Sequence, residues 1–393
     1  MFTGIVILMK TAILTSLAVM AIAGCSSPAA AGDNVIVTSP TKQITQVTIT
    51  DEAVFDEPWA MAFLPGSNFA LITEKKGKLK LWRHGRTAQD VRGVPVVAYG
   101  GQGGFGDVVP APDYETSRMI YLSWIEAAGS GDRFGAVVAR AKIEFPSTGP
   151  RLQGLQVIWR QAPKVTGQGH YSHRIAFSPD GQYLFISSGE RQKFTPAQDL
   201  KVNLGKIVRL LPDGTPAPGN PFAGKRNKSS QIWSYGHRNA LGLAFDAKGE
   251  LWDLEHGPMG GDELNHVKPG KNYGWPLVSN GDNYDGTPIP RHATRPDLEA
   301  PAISWNPVIA PGDLIFYSGT LFPGWKGHAI CTGLVSGGLV RVETKGEGAK
   351  EIERIPLGNR IREVEQGPDG AIYILEDGAG GRLRKLTPTP AGS

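Results

Sequence analysis

The chain has 393 residues, of which 41 are basic and 37 acidic, for a formal net charge of +4. Hydrophobic residues make up 40% and charged residues 20%, which supports a sizeable core and argues against a disordered chain. The charges are interspersed, with no dense Lys/Arg run, and this argues against nucleic acid as a partner.

Residues 1–24 read as a targeting segment. Lys10 precedes the apolar run ILTSLAVMAIAG, which is short for a membrane span. The run ends at Ile22-Ala23-Gly24-Cys25, and small residues before a Cys resemble a bacterial lipoprotein signal. On that reading Cys25 is acylated and tethers a periplasmic protein to a membrane. A plain signal peptide cleaved near Ala29 to Ala31 is the alternative. Residues 25–45 are small and polar, a tether. Cys331, the other cysteine, sits in the apolar run HAICTGLV and reads as buried and inert.

From about 46 to 388 one pattern recurs: a Gly/Pro/Asp turn feeding a short run of β-branched and aromatic residues. It appears near 63–74, 110–124, 177–189, 245–257 and 367–378, and less regularly at 320–333. The 51 Gly and 30 Pro follow no fixed period, which suits many tight turns. Six units at long spacing predict an all-β, six-bladed β-propeller of four-stranded antiparallel blades. Residues 389–393 are left as a tail. Propeller loops converge on a central channel, which is where a site would form.

Three stretches carry more than turns and strands require. In GQGHYSHRIAF, 167–177, His170 and His173 lie in a Gly-rich loop, and either is a candidate general base or a structural loop histidine. The segment 235–276 holds His237, Arg238, Asn239, Glu255, His256, Asp262 and Glu263 among glycines. Inward backbone carbonyls closed by a Glu are calcium chemistry, although a solvated acidic turn would look the same. The absence of a Cys pair or an HExxH pattern argues against zinc. In LGNRIREVEQGPDG, 357–370, Arg360 and Arg362 alternate, so they share one side of a strand. They suit capture of carboxylates or form an exposed basic edge.

Together, EPWAMAFLP, GGQGGFGDVVPAPDY, GHYSHRIAFSPDG, YGHRNALGLAF, EHGPMGGDELNHVKPGKNYGWP and NRIREVEQGPDGAIYILED resemble the soluble PQQ-dependent glucose/sorbosone dehydrogenases, in their aldose sugar dehydrogenase branch. The resemblance covers roughly 50–388. It implies a propeller holding PQQ and calcium, with His170 as catalytic base and Arg238 and Asn239 at the reactive quinone carbonyl. It further implies that Gln102, Arg360 and Arg362 contact PQQ, while the carbonyls of Gly257 and Pro258, with Glu263, form the calcium site. The expected reaction takes an aldose to its lactone, with electrons leaving to a periplasmic or artificial acceptor. Trp305 is a candidate sugar-stacking residue or a core Trp, and His173 is a second candidate at the substrate.

The chain departs from the family pattern at Ser172-His173 and at Gly169, where the glucose dehydrogenase branch has an Asp. It also has no Lys in GLVSGG, 333–338, to match a PQQ-contacting Lys of that branch. Two other function classes fit a propeller: a calcium-dependent lactonase, and a non-catalytic lipoprotein binding a glycan or partner. Neither requires the paired arginines.

Overall fold

The recurring turn and strand unit is the hairpin between the first and second strands of a blade. The structure, a computed structural model, describes residues 45–129, 131–224 and 228–390. The signal segment, Cys25 and nearly all of the tether therefore lie outside the described residues. Six antiparallel sheets of four strands each form the described domain. Their innermost strands, in blades 1 to 6, are Pro58–Phe63, Phe105–Pro110, Ser172–Phe177, Ala240–Phe245, Pro311–Phe316 and Ile361–Gln366. Each packs on the next, and the sixth packs on the first, so the ring closes. No helix among the described residues is long and apolar enough to cross a membrane.

The local chemistry explains the repeat. In blade 3, Asp180 Oδ1 accepts the Gln182 amide at 3.0 Å and Gly181 takes φ +71°. In blade 4, Asp246 Oδ1 accepts the amides of Lys248 and Glu250, with Gly249 at φ +82°. Blade 6 repeats this with Asp369 and Gly370. The Asp side chain folds the turn, and the glycine supplies the left-handed residue that ends it.

Five of the six second strands are buried along their whole length, as in LFISS and IYILE, and that of blade 2 is buried except at its ends, so they read as largely apolar runs. Six apolar clusters fill the six interfaces between neighbouring blades. One strand escaped the sequence pattern. Val47–Asp56 pairs with Ala379–Pro388 and completes blade 6, so the two ends of the domain share one sheet. It has no preceding turn signal, and only one of its ten residues is fully buried.

All six innermost strands carry a register shift against their second strand, close to the end where they enter the sheet. A bulge there re-aims the first side chains of the strand toward the channel mouth.

Below the mouth, Arg174 ties the ring together. Its guanidinium lies 2.6 Å from Glu363 and 3.4 Å from Asp107 and Asp313. It donates to the carbonyls of Leu241 and Gly312 at 2.7 and 3.0 Å, and stacks 4.2 Å over Trp59. With its own strand, these contacts reach all six blades, and blade 5 twice. Burial would strip its proton, but Asp313, Glu363 and Asp107 more than offset this and hold it charged. Burial pushes the Asp313 carboxyl up to about 6 against the pull of Arg174, and Glu363 well above the usual carboxylate range.

Removing the cation would leave three buried carboxyls facing one another. Arg174→Met is expected to cost about 3–5 kcal/mol of folding stability, read from the urea midpoint. A loss under about 1 kcal/mol would mean that protonation alone satisfies the carboxyls and the hub is dispensable.

Candidate active site

In every blade the first strand starts, and the second strand ends, at the same face of the ring. A cavity of about 340 Å³ opens there. Residues that follow second strands line it: Lys75, His256, Leu334 and Asp377. Residues at first-strand starts line it too: Trp59, Ser172, His173, Leu241 and Arg362. Gln102, Asn239 and Arg360 complete the polar wall.

The wall is cationic. Arg360 and Arg362 both grip Asp377, at 2.9 and 2.8 Å, so they do share one side. Lys75 donates to the Gly101 carbonyl at 3.2 Å. Burial, and then the Arg362 charge, act to lower its pKa, with Glu57 opposing. Gln102 uses its carbonyl to accept the His170 amide at 2.7 Å. Asn239 uses its own to accept the Ser172 amide and hydroxyl at 3.2 Å. Both therefore turn their NH2 groups to other partners.

His170 does not itself line this cavity, but its neighbours Tyr171, Ser172 and His173 do, its amide bonds Gln102 in the wall, and its imidazole is 9% exposed. Its Nδ1 is 2.5 Å from Glu190 Oε1. Glu190 is itself held by the amides of Gln192, Lys193 and Phe194 at 3.0, 2.6 and 2.6 Å. A carboxylate that fixes Nδ1 leaves Nε2 as the working nitrogen. Burial lowers the His170 pKa below the ordinary histidine value, and the nearby Arg238 charge adds to this, so the ring is neutral at pH 7. A neutral, oriented, nearly buried imidazole is a general base in waiting.

His173 is placed differently. It lies flat on Trp59 at 5.0 Å, accepts or donates at Ser123 Oγ, and forms the cavity floor. Burial takes its pKa down to about 3. Gly106 makes room for it, since a Cβ there would fall 1.9 Å from the ring.

Behind the wall lies a second cavity of about 10 Å³, room for one water or one small ion. Arg238, Glu255, Gly257, Glu263 and Tyr273 line it, and His256 lines both cavities. Glu255 is fully engaged by His237, Asn265 and the amides of Arg238 and Asn239. Glu263 has only His292 Nε2 at 3.3 Å, and burial together with Glu255 and Asp253 pushes its pKa up. A buried, under-partnered carboxylate beside like charges fits a cation. Pro258 is buried next to Gly257 but does not line this cavity. Asp262 is spent on structure, accepting the amides of Gly257 and Ala310. His237, Asp253 and Glu255 cluster within metal-binding reach. There the imidazole serves as the cation: burial opposes its charge, but the two carboxylates raise its pKa to about 9. Arg238 is 5% exposed, and its Nε has no partner, the mark of a group awaiting an acceptor.

Trp305 is the one sequence candidate that the structure moves away from the site. It is 4% exposed, packs in the cluster between blades 4 and 5, and donates its indole N–H to Glu351 at 2.8 Å. Its role is core, not sugar stacking. Two residues absent from the sequence candidates belong to the site, Lys75 and Glu190, while His256, singled out within 235–276, becomes a wall residue. Their signal was positional, because each follows the end of a second strand.

The comparisons with known proteins agree with this geometry. The glucose/sorbosone dehydrogenase family profile matches residues 55–385. The chain belongs to the glucose/sorbosone dehydrogenase family, a family of oxidoreductases. It is 38% identical to aldose sugar dehydrogenase YliI of Escherichia coli over 339 residues, covering 85% of this chain and 90% of the relative. A crystal structure of a glucose dehydrogenase superposes with TM-score 0.82 at 40% identity, covering 87% of this chain and all of the other. The PQQ-bound aldose sugar dehydrogenase of Streptomyces coelicolor gives 0.70 at 26%, covering 87% and 98%.

The buried neutral histidines make a pH prediction. His173 and His256 both have pKa values down to about 3, against 6.5 ordinarily. For His256, burial leads and the charges of Arg238 and Arg362 add to it. Below pH 6.5 the unfolded chain binds protons that the folded chain refuses, so stability falls as pH drops toward 3. Each ring contributes up to about 1.4 kcal/mol per pH unit in that window. Urea stability measured from pH 7 to pH 4 should fall less steeply in His256→Gln than in the wild type. Equal slopes would show that the ring is protonated in the folded protein.

Proposed function

We propose that this protein is a PQQ- and calcium-dependent aldose sugar dehydrogenase that oxidises the anomeric carbon of an aldose to the lactone. The observation that carries this is His170, a neutral imidazole locked by Glu190 and bonded through its amide to Gln102, in the wall of a cavity that also carries Lys75, Arg360 and Arg362. Family membership and the likeness to a PQQ-bound aldose sugar dehydrogenase support it.

The residues fit the cofactor. PQQ is a planar tricarboxylate, and the cavity offers three cationic side chains and two amide NH2 groups. Lys75, Arg360 and Arg362 would hold carboxylates, with Gln102 and Asn239 positioning the ring edge. Arg238, with its orphaned Nε, would face oxygen on the side of the small cavity. Glu263, with the carbonyls of Gly257 and Pro258, would hold calcium. When bound, PQQ is the two-electron oxidant that receives the hydride.

The protein's own part is proton handling and placement. His170 Nε2 takes the anomeric hydroxyl proton as the C1 hydride leaves, so the C–O bond gains its second bond and the lactone forms. Glu190 keeps the ring in one tautomer and stabilises the imidazolium that results. Arg238 supplies fixed positive charge where negative charge develops. Trp59 and His173 close the floor and exclude water from below. The acceptor that next takes the electrons is a periplasmic or artificial one.

Apo protein titrated with PQQ and calcium should show a PQQ spectral change and then reduce a dye with at least one aldose. His170→Ala should bind PQQ but lose turnover by about 10²–10⁴-fold, and Glu263→Gln should abolish the rise in melting temperature caused by calcium. Hydrolysis of a lactone without PQQ would instead establish a lactonase, and an absence of both activities a binding protein.

We propose further that the lipoprotein-like signal ending at Cys25 sends the enzyme to the periplasm and anchors it by lipid to a membrane. Cys25→Ser should move it from the membrane fraction to the soluble periplasmic fraction. An unchanged distribution would reject the anchor.

A further inference from the structure

Among the described residues, nine non-glycine residues have positive φ, and six of them lie in two short segments: His170, Ser172, His173, and Arg191, Gln192, Phe194. Such backbone is strained, and it persists only where surrounding contacts over-determine it. The two segments are bound to each other. The Gly189 amide donates to the Tyr171 carbonyl, and the Arg191 amide donates to the His170 carbonyl at 3.2 Å. Glu190 then holds the His170 ring.

Arg191 completes the grip. It is 1% exposed and belongs to neither cavity wall. Its Nε donates to the Gly169 carbonyl at 2.9 Å, one NH2 group to Gly167 at 2.5 Å and the other to Phe134 at 2.8 Å. Its guanidinium lies 3.7 Å over the Tyr171 ring. Apart from the bond to Phe134, which anchors the guanidinium to blade 2, these contacts fall on the residues flanking His170. Resting on the reading of His170 as the base, we infer that Arg191 is a positioning residue for it. Arg191 and Glu190, adjacent in sequence, clamp the backbone and the ring of the same histidine.

Three acceptors in different directions need a planar fork with several N–H donors, which Lys cannot reproduce. The Gln192 amide packs where a Cβ at Gly169 would come, within 2.6 Å. That contact ties the Gly169 departure to the same clamp. The guanidinium is also one of the charges that hold the His170 pKa down, after burial itself.

The test uses full-length protein carrying Arg191→Met and Arg191→Lys. Two readouts are needed: kinetics of the PQQ- and calcium-loaded enzyme, and NMR titration of the His170 ring in the apo protein, assigned by difference from His170→Gln. Loosening the loop should lower kcat by about 10- to 100-fold in Arg191→Met, with sugar KM and PQQ affinity within about twofold. Arg191→Lys should recover part of kcat. In both variants the His170 ring should titrate at a higher pH than in the wild type, because solvent reaches it and one positive charge is lost or displaced. An unchanged His170 titration overturns the inference, whatever happens to kcat. Losses of kcat, PQQ affinity and melting temperature in parallel would make Arg191 merely structural and overturn it too. If His170→Gln itself keeps full turnover, the base assignment fails while the NMR shift still reports on the clamp.

Discussion

Everything at the mouth of this propeller depends on one cation in the middle of it. Arg174 touches all six blades through three carboxyls, two carbonyls and an indole face. A propeller made only of apolar blade interfaces could slide, since the hydrophobic contribution has no direction. The hub contacts have direction. Asp107 also accepts the Ile175 amide, Asp313 the Val364 amide and Glu363 the Met61 amide, so each carboxyl bonds a strand of another blade. The relative height of the innermost strands is set by these bonds, and with it the register of the mouth.

That register places the chemistry. Arg174 follows His173 directly, so the strand it anchors begins with the cavity floor and is preceded by the loop of His170. Position alone would not orient an imidazole held at φ +48°. The strain is countered from the neighbouring turn, where Glu190 and Arg191 grip ring and backbone. The fold thus places the His170 imidazole through two layers, a rigid channel that sets depth and a cross-braced pair of loops that sets direction. Preorganisation of this kind keeps the ring from reorienting when a reacting group arrives.

How much of this could be read from the sequence follows from the reach of each signal. Turn chemistry is local, so all six first hairpins were legible from Asp/Gly turns such as SPDGQ and DAKGE. His170, Arg238, Asn239, Arg360 and Arg362 were legible because each sits within a dense run of unusual residues. Lys75 and Glu190 were not, because nothing near them distinguishes TEKKGK or GERQK from a surface turn. Their meaning comes from the strand ends they follow, which only the assembled ring brings together. The strand Val47–Asp56 was hidden for the same reason, since its partner lies more than 300 residues away. Trp305 shows the reverse case, an aromatic residue near a motif with two open readings, of which tertiary packing supports the core one.

The charges also sort themselves by depth. At the mouth stand Lys75, Arg360 and Arg362, with Arg238 beside them. Deeper, on the innermost strands of blades 2, 5 and 6, come Asp107, Asp313 and Glu363, with Glu365 two residues beyond Glu363; burial and the neighbouring Asp313 and Asp107 push the Glu365 carboxyl up to about 8. A planar polyanion entering from the mouth would meet its counter-charges there, above Trp59 and His173. The acids cost the fold desolvation energy, which the hub offsets only in part, since one guanidinium faces several carboxyls. Protonation relieves the rest: burial raises the pKa of Glu363 and Glu365, so these groups brace the ring from within as neutral acids rather than as a row of like charges.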